Sequence, residues 1–439
     1  MDVQEPTNPD VAPGGAGPSR RGGVTRRDVL KYGLAAAAAV AGGGGIVYYL
    51  THPAMRQPAD ADIFRGGGPD EKLWALWQQR GWVKEARHYL RVGRNVACHL
   101  CPNRCVLAPG DRSHCRNKVN RDGVLYTMAY ANPCAIHVDP VEKKPLFHFL
   151  PGSRTFSLAT SGCVFRCLNC QNWDISQRSP EETKDARGPE LRLRAGAEAI
   201  SADDLNRLSL FPDDAAEVAK ALGCPSIAYT YSEPVAYFEY AADTAQAARA
   251  AGVRNILVSC GSMEQEAVRD IGRFIDGAHV DLKGFDENVY RTLNSGRLQP
   301  ILDTLTTLKE MGVWVEVVNL VVPTYTDKTD VIRRMCGWLA AKMGPDTPLH
   351  FSRFVPMHKL TYLALTPVEV LLEARRIAQA EGLRYVYVGN VPGTPDVENT
   401  FCPGCGKAVI ERSTYAILSR RLDGGRCGFC RTAIPGVWS

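Results

Sequence analysis

Ser157-Leu158-Ala159-Thr160-Ser161-Gly162-Cys163-Val164-Phe165-Arg166-Cys167-Leu168-Asn169-Cys170 decides the reading of this chain. An apolar run suited to a strand (Thr155–Thr160) ends at a glycine, and three cysteines follow at Cys-x3-Cys-x2-Cys spacing. A single ion in a closed structural site takes four ligands, and a cubane iron–sulfur cluster normally takes four cysteines. Three thiolates on one loop therefore point to a cluster with one iron left open. The competing reading is a zinc knuckle with a distant fourth ligand.

Further strand candidates lie downstream at Ser226–Tyr231, Asn255–Ser259, Ala278–Leu282, Trp314–Val322, Leu349–Phe354 and Tyr385–Val388. Each is short and mostly apolar, as parallel strands covered on both faces are. Helical patterns separate them, among them Pro212–Leu222, Val235–Ala251, Leu298–Met311 and Pro367–Glu381. Repeated β-then-α units imply a parallel sheet or barrel with right-handed crossovers. Chemistry in such folds sits at the carboxyl ends of strands, and the three-cysteine loop follows one.

The chain has 439 residues, a net charge of +5, 45% hydrophobic and 23% charged residues. That supports a large core, and so mild a charge gives no reason to expect DNA binding. Eleven of the 15 cysteines fall into three groups, while Cys134, Cys224, Cys260 and Cys336 stand alone. In a chain of this length the grouping reads as thiolate ligands rather than a disulfide framework. Cys98-x2-Cys101-x3-Cys105-x9-Cys115 has enough sulfur for zinc or for an auxiliary cluster, with His99 and His114 as spare donors. Cys402-x2-Cys405-x21-Cys427-x2-Cys430 reads as a zinc-ribbon-like site, with a rubredoxin-like iron site second.

The three-cysteine loop resembles that of the radical S-adenosylmethionine (SAM) superfamily. The resemblance implies a partial (β/α)6-type TIM barrel over residues 151–395, flanked by a four-cysteine module at 70–150 and the ribbon-like module at 396–439. It implies a [4Fe–4S] cluster on Cys163, Cys167 and Cys170 that binds SAM and cleaves it to methionine and a 5′-deoxyadenosyl radical. Thr230-Tyr231-Ser232-Glu233-Pro234 resembles an element of the activating-enzyme branch, the relatives of pyruvate formate-lyase activase, and Asp281-Leu282-Lys283 resembles another. On that resemblance Thr230, Glu233, Asp281 and Lys283 are candidate SAM contacts. Ser259, Asn319 and the stretch His350–Arg353 are weaker candidates at neighbouring strand ends. The residue before the last cysteine is often aromatic in the superfamily; Asn169 stands there, which leaves adenine packing open.

Several phrases resemble one subgroup, the radical SAM component of the AmmeMemoRadiSam system. They include Cys98 to Cys105, Asp139 to Gly152, Pro348 to Phe354, Tyr385 to Gly393 and Ile434 to Trp438. That resemblance implies Memo-like and AMMECR-like partner proteins beside a flavodoxin- or ferredoxin-like electron donor. Lys143 and Lys144, inside the second phrase, read as a solvated charge pair. A glycyl-radical activase acting on a protein partner is the alternative enzyme; an iron–sulfur or zinc electron-transfer or interaction protein is the alternative outside catalysis.

Residues 1–56 are expected to be a disordered start followed by a membrane anchor or export signal. Thr25-Arg26-Arg27-Asp28-Val29-Leu30-Lys31 before the apolar stretch from Tyr32 to Leu50 resembles a twin-arginine signal. The basic residues before that stretch place the bulk of the chain outside the cytoplasm. The need for SAM and a strong reductant favours the cytoplasmic face, and the sequence leaves the two in conflict.

Overall fold

The computed structural model describes residues 66–193 and 201–439. The expected signal or anchor lies outside the described residues. Among those described, no helix is long and apolar enough to cross a membrane.

The centre of the chain is an 8-stranded sheet whose spatial order is its chain order. It comprises β1 (Ala135–Pro140), β2 (Arg154–Ala159), β3 (Ser226–Tyr229), β4 (Arg254–Ser259), β5 (Gly277–Asp281), β6 (Trp314–Val321), β7 (Leu349–Arg353) and β8 (Val386–Gly389). From β2 to β8 every neighbouring pair is parallel. Six helices carry the crossovers: α1 (Pro212–Ala221), α2 (Phe238–Ala250), α3 (Gln265–Gly272), α4 (Gln299–Glu310), α5 (Thr329–Trp338) and α6 (Val368–Ala380). This is the expected (β/α)6-type partial barrel, with β8 as its last strand.

The helices follow from local sequence. Pro212 opens α1, where a missing N–H costs nothing. The buried faces of α1 and α4 carry Ala215, Ala216, Val218 and Ala219, and Ile301, Leu305 and Leu308. The expected strands and helices are found within a few residues of their expected ends.

One boundary differs. β1 pairs antiparallel with β2 from Ala135↔Ala159 to Pro140↔Arg154. The barrel sheet therefore starts upstream of residue 151, inside the stretch assigned to the N-terminal module. Its half-exposed Ala-Ile-His-Val-Asp-Pro sequence lacks the apolar run of a central strand, so its edge position was not legible.

The segment after β1 closes the barrel floor. Glu316 on β6 is completely buried and accepts the backbone N–H groups of Phe147 (2.9 Å) and His148 (2.7 Å). It also accepts from His350 Nε2 (2.7 Å) and Trp314 Nε1 (3.0 Å). Phe149 fills the space beside Gly277, where an added Cβ would meet the ring at 2.7 Å. The chain end returns to this floor, with the Leu150 N–H donating to the Val437 carbonyl at 2.7 Å.

Candidate active site

Gly162 takes φ +91°, a left-handed conformation, between β2 and the cysteine loop. A Cβ there would lie 2.5 Å from the Cys115 carbonyl oxygen, so glycine is needed both for the turn and for the close approach. Cys163, Cys167 and Cys170 all line one cavity of about 570 Å³ at the carboxyl ends of the strands.

Donors already face their sulfurs: the Phe165 N–H lies 3.3 Å from Cys163 Sγ, and Asn294 Nδ2 lies 3.3 Å from Cys167 Sγ. Burial pushes the Cys170 thiol up to about 11, so a thiolate there needs a positive partner. Three sulfur donors, N–H groups aimed at two of them and an adjoining cavity fit a [4Fe–4S] cluster with one open iron.

Asp281 and Lys283 face the same cavity and form an ion pair, Nζ to Oδ2 2.8 Å. Burial works against the charge of Asp281, but Lys283 and His279 outweigh it and hold the carboxyl well below the usual range. Burial likewise works against the charge of Lys283, and Asp281 outweighs it, so the ammonium is held well above its usual value. Asp281 Oδ1 accepts from His279 Nε2 (3.0 Å), and Nδ1 of that ring lies 2.6 Å from the Lys144 carbonyl.

The other candidates divide. Thr230 lines the cavity and is buried. Glu233 also borders it, but its carboxylate accepts from Ser259 Oγ (2.7 Å) and the Cys260 N–H (2.9 Å). Glu233 and Ser259 thus splice the ends of β3 and β4, and burial pushes Glu233 up. Asn319 is absent from the cavity wall, to which β6 contributes Val318 and Leu320. It donates to the Leu282 carbonyl at 2.7 Å, so it supports the Asp281–Lys283 turn from behind. His350 and Ser352 reach the wall.

Lys144 corrects the sequence reading. Its side chain is 2% exposed, against 43% for Lys143. It pairs with Asp139 Oδ2 at 2.6 Å, and its ammonium lies 4.4 Å from the Tyr231 ring centroid. Lys143 takes Asp139 Oδ1 at 2.9 Å, and the Tyr231 hydroxyl donates to Oδ2. Burial pulls Lys144 down to about 8 against the pull of Asp139. An aspartate four and five residues ahead of two lysines was the only available signal.

At the other end of the chain, Cys402, Cys405, Cys427 and Cys430 bring all four sulfurs within 4.8 Å of one another. Cys402–Cys430 and Cys405–Cys427 Sγ distances are 3.5 and 3.7 Å. Tetrahedral thiolates at a Zn–S distance of about 2.3 Å stand about 3.8 Å apart. The cluster fits a metal-binding module. Its hairpin, Ala408–Ser413 with Ala416–Arg420, has Thr414 and Tyr415 at its turn, and both line the main cavity.

The radical SAM superfamily pattern matches residues 157–335. An uncharacterized protein of Methanocaldococcus jannaschii is 40% identical over 358 residues, which is 81% of this chain and 100% of that protein. A domain of a pyruvate-formate lyase-activating enzyme from Bacteroides vulgatus is similar at 18% identity, covering 38% of this chain and 99% of that one, with a TM-score of 0.33. Streptococcus suis SuiB bound to S-adenosylmethionine is similar at 12% identity over 57% of this chain and 53% of its own, TM-score 0.39. A radical SAM methyltransferase from Sphaerobacter thermophilus is similar at 13% identity over 73% of this chain and 81% of its own, TM-score 0.39. With that match over the cysteine loop and the strands that follow it, the chain belongs to the radical SAM superfamily, and to one family with its M. jannaschii relative.

Proposed function

We propose that this chain is a radical SAM enzyme that holds a [4Fe–4S] cluster on Cys163, Cys167 and Cys170 and acts on a substrate bound in the same cavity. The observation that carries this is the meeting of three cluster-spaced thiols with the Asp281–Lys283 pair in one cavity. When bound and reduced, the cluster supplies the electron that splits SAM into methionine and a 5′-deoxyadenosyl radical, which abstracts hydrogen from the substrate.

The chain's own groups do the rest. Lys283 and Asp281 offer one positive and one negative partner to the carboxylate and ammonium of a bound amino acid. His279 and the Lys144 carbonyl fix the aspartate's direction. The floor segment, through Phe147, and the ribbon hairpin, through Thr414 and Tyr415, form part of the cavity wall. The subgroup phrases support membership of the AmmeMemoRadiSam system, a low-potential electron donor, and Memo-like and AMMECR-like partners.

The test is anaerobic reconstitution with iron and sulfide, reduction, addition of SAM, and assay of 5′-deoxyadenosine. Wild type should form it, and Cys163→Ala should lower the yield at least a hundredfold. Product formed equally by the variant would refute the ligand assignment.

A further inference from the structure

The N-terminal cysteines repeat the loop lengths of the central ones in reverse. Cys98-x2-Cys101-x3-Cys105 mirrors Cys163-x3-Cys167-x2-Cys170, and Cys115 adds a fourth sulfur. All four are buried.

They do not share the geometry of the ribbon site. Among the described residues, the C-terminal four form the one group of three or more metal donors that all lie within 4.8 Å of one another. Neither the N-terminal four nor the central three contract so far. A single zinc ion needs that contraction, whereas thiolates bound to different irons of a cubane stand further apart. Among the described residues, the N-terminal set thus resembles the central set in lacking the close grouping of the ribbon site.

Its surroundings suit a cluster. The His114 N–H donates to Cys105 Sγ at 3.4 Å, and the Ser113 hydroxyl lies 3.1 Å from Cys115 Sγ. Such bonds to sulfur stabilise a reduced cluster. Lys118, buried and paired with Glu239 at 2.6 Å, sits on the strand just after Cys115.

The two cysteine sets also touch. Arg166, on the central loop, donates to the carbonyl of Cys163 (3.0 Å) and to that of His114, next to Cys115. Asn103 donates to the Val164 carbonyl at 2.9 Å. Gly162 lies against the Cys115 carbonyl. The side chains of Arg166 and Asn103 bridge the two sets.

We propose that Cys98, Cys101, Cys105 and Cys115 hold a second, fully ligated [4Fe–4S] cluster that relays electrons to the SAM-binding one. The relay role rests on the radical SAM reading; the second cluster itself does not. One electron enters from a low-potential one-electron donor of the ferredoxin or flavodoxin type. The same electron leaves to the central cluster, so the relay cluster returns to its oxidised state and no bond is made or broken.

The test uses the full chain with Cys163→Ala, Cys167→Ala and Cys170→Ala combined, which leaves the N-terminal set untouched. After anaerobic reconstitution it should keep about half the acid-labile sulfide of wild type, roughly four per chain, and show a reduced-cluster EPR signal indifferent to SAM. Sulfide is the deciding count, because a mononuclear ribbon site holds none. A triple variant with no sulfide, or with zinc in the N-terminal set, would overturn the proposal. Cys101→Ser with Cys105→Ser should lower sulfide by the same half. It should also slow 5′-deoxyadenosine formation at least tenfold with reduced ferredoxin, and less with dithionite. Equal slowing with both reductants would overturn the relay. Failure of the radical SAM reading is distinct: a wild-type signal that SAM leaves unchanged.

Discussion

His148 shows how much a single side chain can settle in this molecule. Its Nδ1 lies 2.7 Å from the Pro435 carbonyl, which only accepts, so the proton of the neutral ring is on Nδ1. Nε2 then accepts from the Tyr387 hydroxyl at 2.6 Å. Burial pulls this histidine down to about 4, with the Glu316 charge opposing. A depressed folded value means the ring adds stability above its unfolded value of about 6.5, and that stability is lost as pH falls toward 4. The linkage amounts to about 3 kcal/mol. Wild type should therefore exceed His148→Gln in stability most at neutral pH, and the gap should narrow between pH 6.5 and 4 in denaturant titrations. A gap that stays constant over that range would contradict the assignment. Nothing in the sequence singled out this histidine. By contrast the spacing of Cys163, Cys167 and Cys170 singled them out locally, and Asp281 and Lys283 stood out through the resemblance of their tripeptide. Lys144 was misread because its burial depends on Asp139 of β1 and Tyr231 just past β3 coming together around it, which no local pattern records.

The strands that hold these residues were legible for a similar reason. A parallel strand covered on both faces announces itself as an apolar run, and β2 to β8 all do. An edge strand such as β1 does not. Where β5 starts, Gly277 gives its side-chain space to Phe149. Gly277→Ala should cost about 1–3 kcal/mol by overpacking the floor. Adding Phe149→Leu should recover part of that loss, because the shorter side chain vacates the same volume. A double-mutant cycle with no coupling between the two sites would show that the ring does not fill that space.

The chain treats its C-terminal ribbon as a wall of the barrel more than as an appendage. The ribbon is anchored at its entry, where the Val388 N–H donates to the Val397 carbonyl at 3.0 Å, and at its exit, where Val437 pairs with the floor. Between these anchors Arg412 reaches inward to the carbonyl of Phe147 (2.7 Å) and to Thr400 Oγ1 (2.8 Å). Its own buried cluster is small, drawing on Phe147, Tyr385, Tyr387, Cys402, Val409, Cys427 and Ile434. So small a core would need an ion on its four cysteines to hold its loops. The barrel has a far larger core of its own and should not. Removing the ion by chelation, or by Cys427→Ser, should therefore raise hydrogen exchange across residues 402–430 by at least tenfold while β3 to β6 stay protected. Because Thr414 and Tyr415 line the cavity, the same treatment should loosen the wall facing the substrate without disturbing Cys163, Cys167 and Cys170. Equal loss of protection in ribbon and barrel would mean that the two melt as one unit, and that the cavity wall is held by the barrel rather than by the metal.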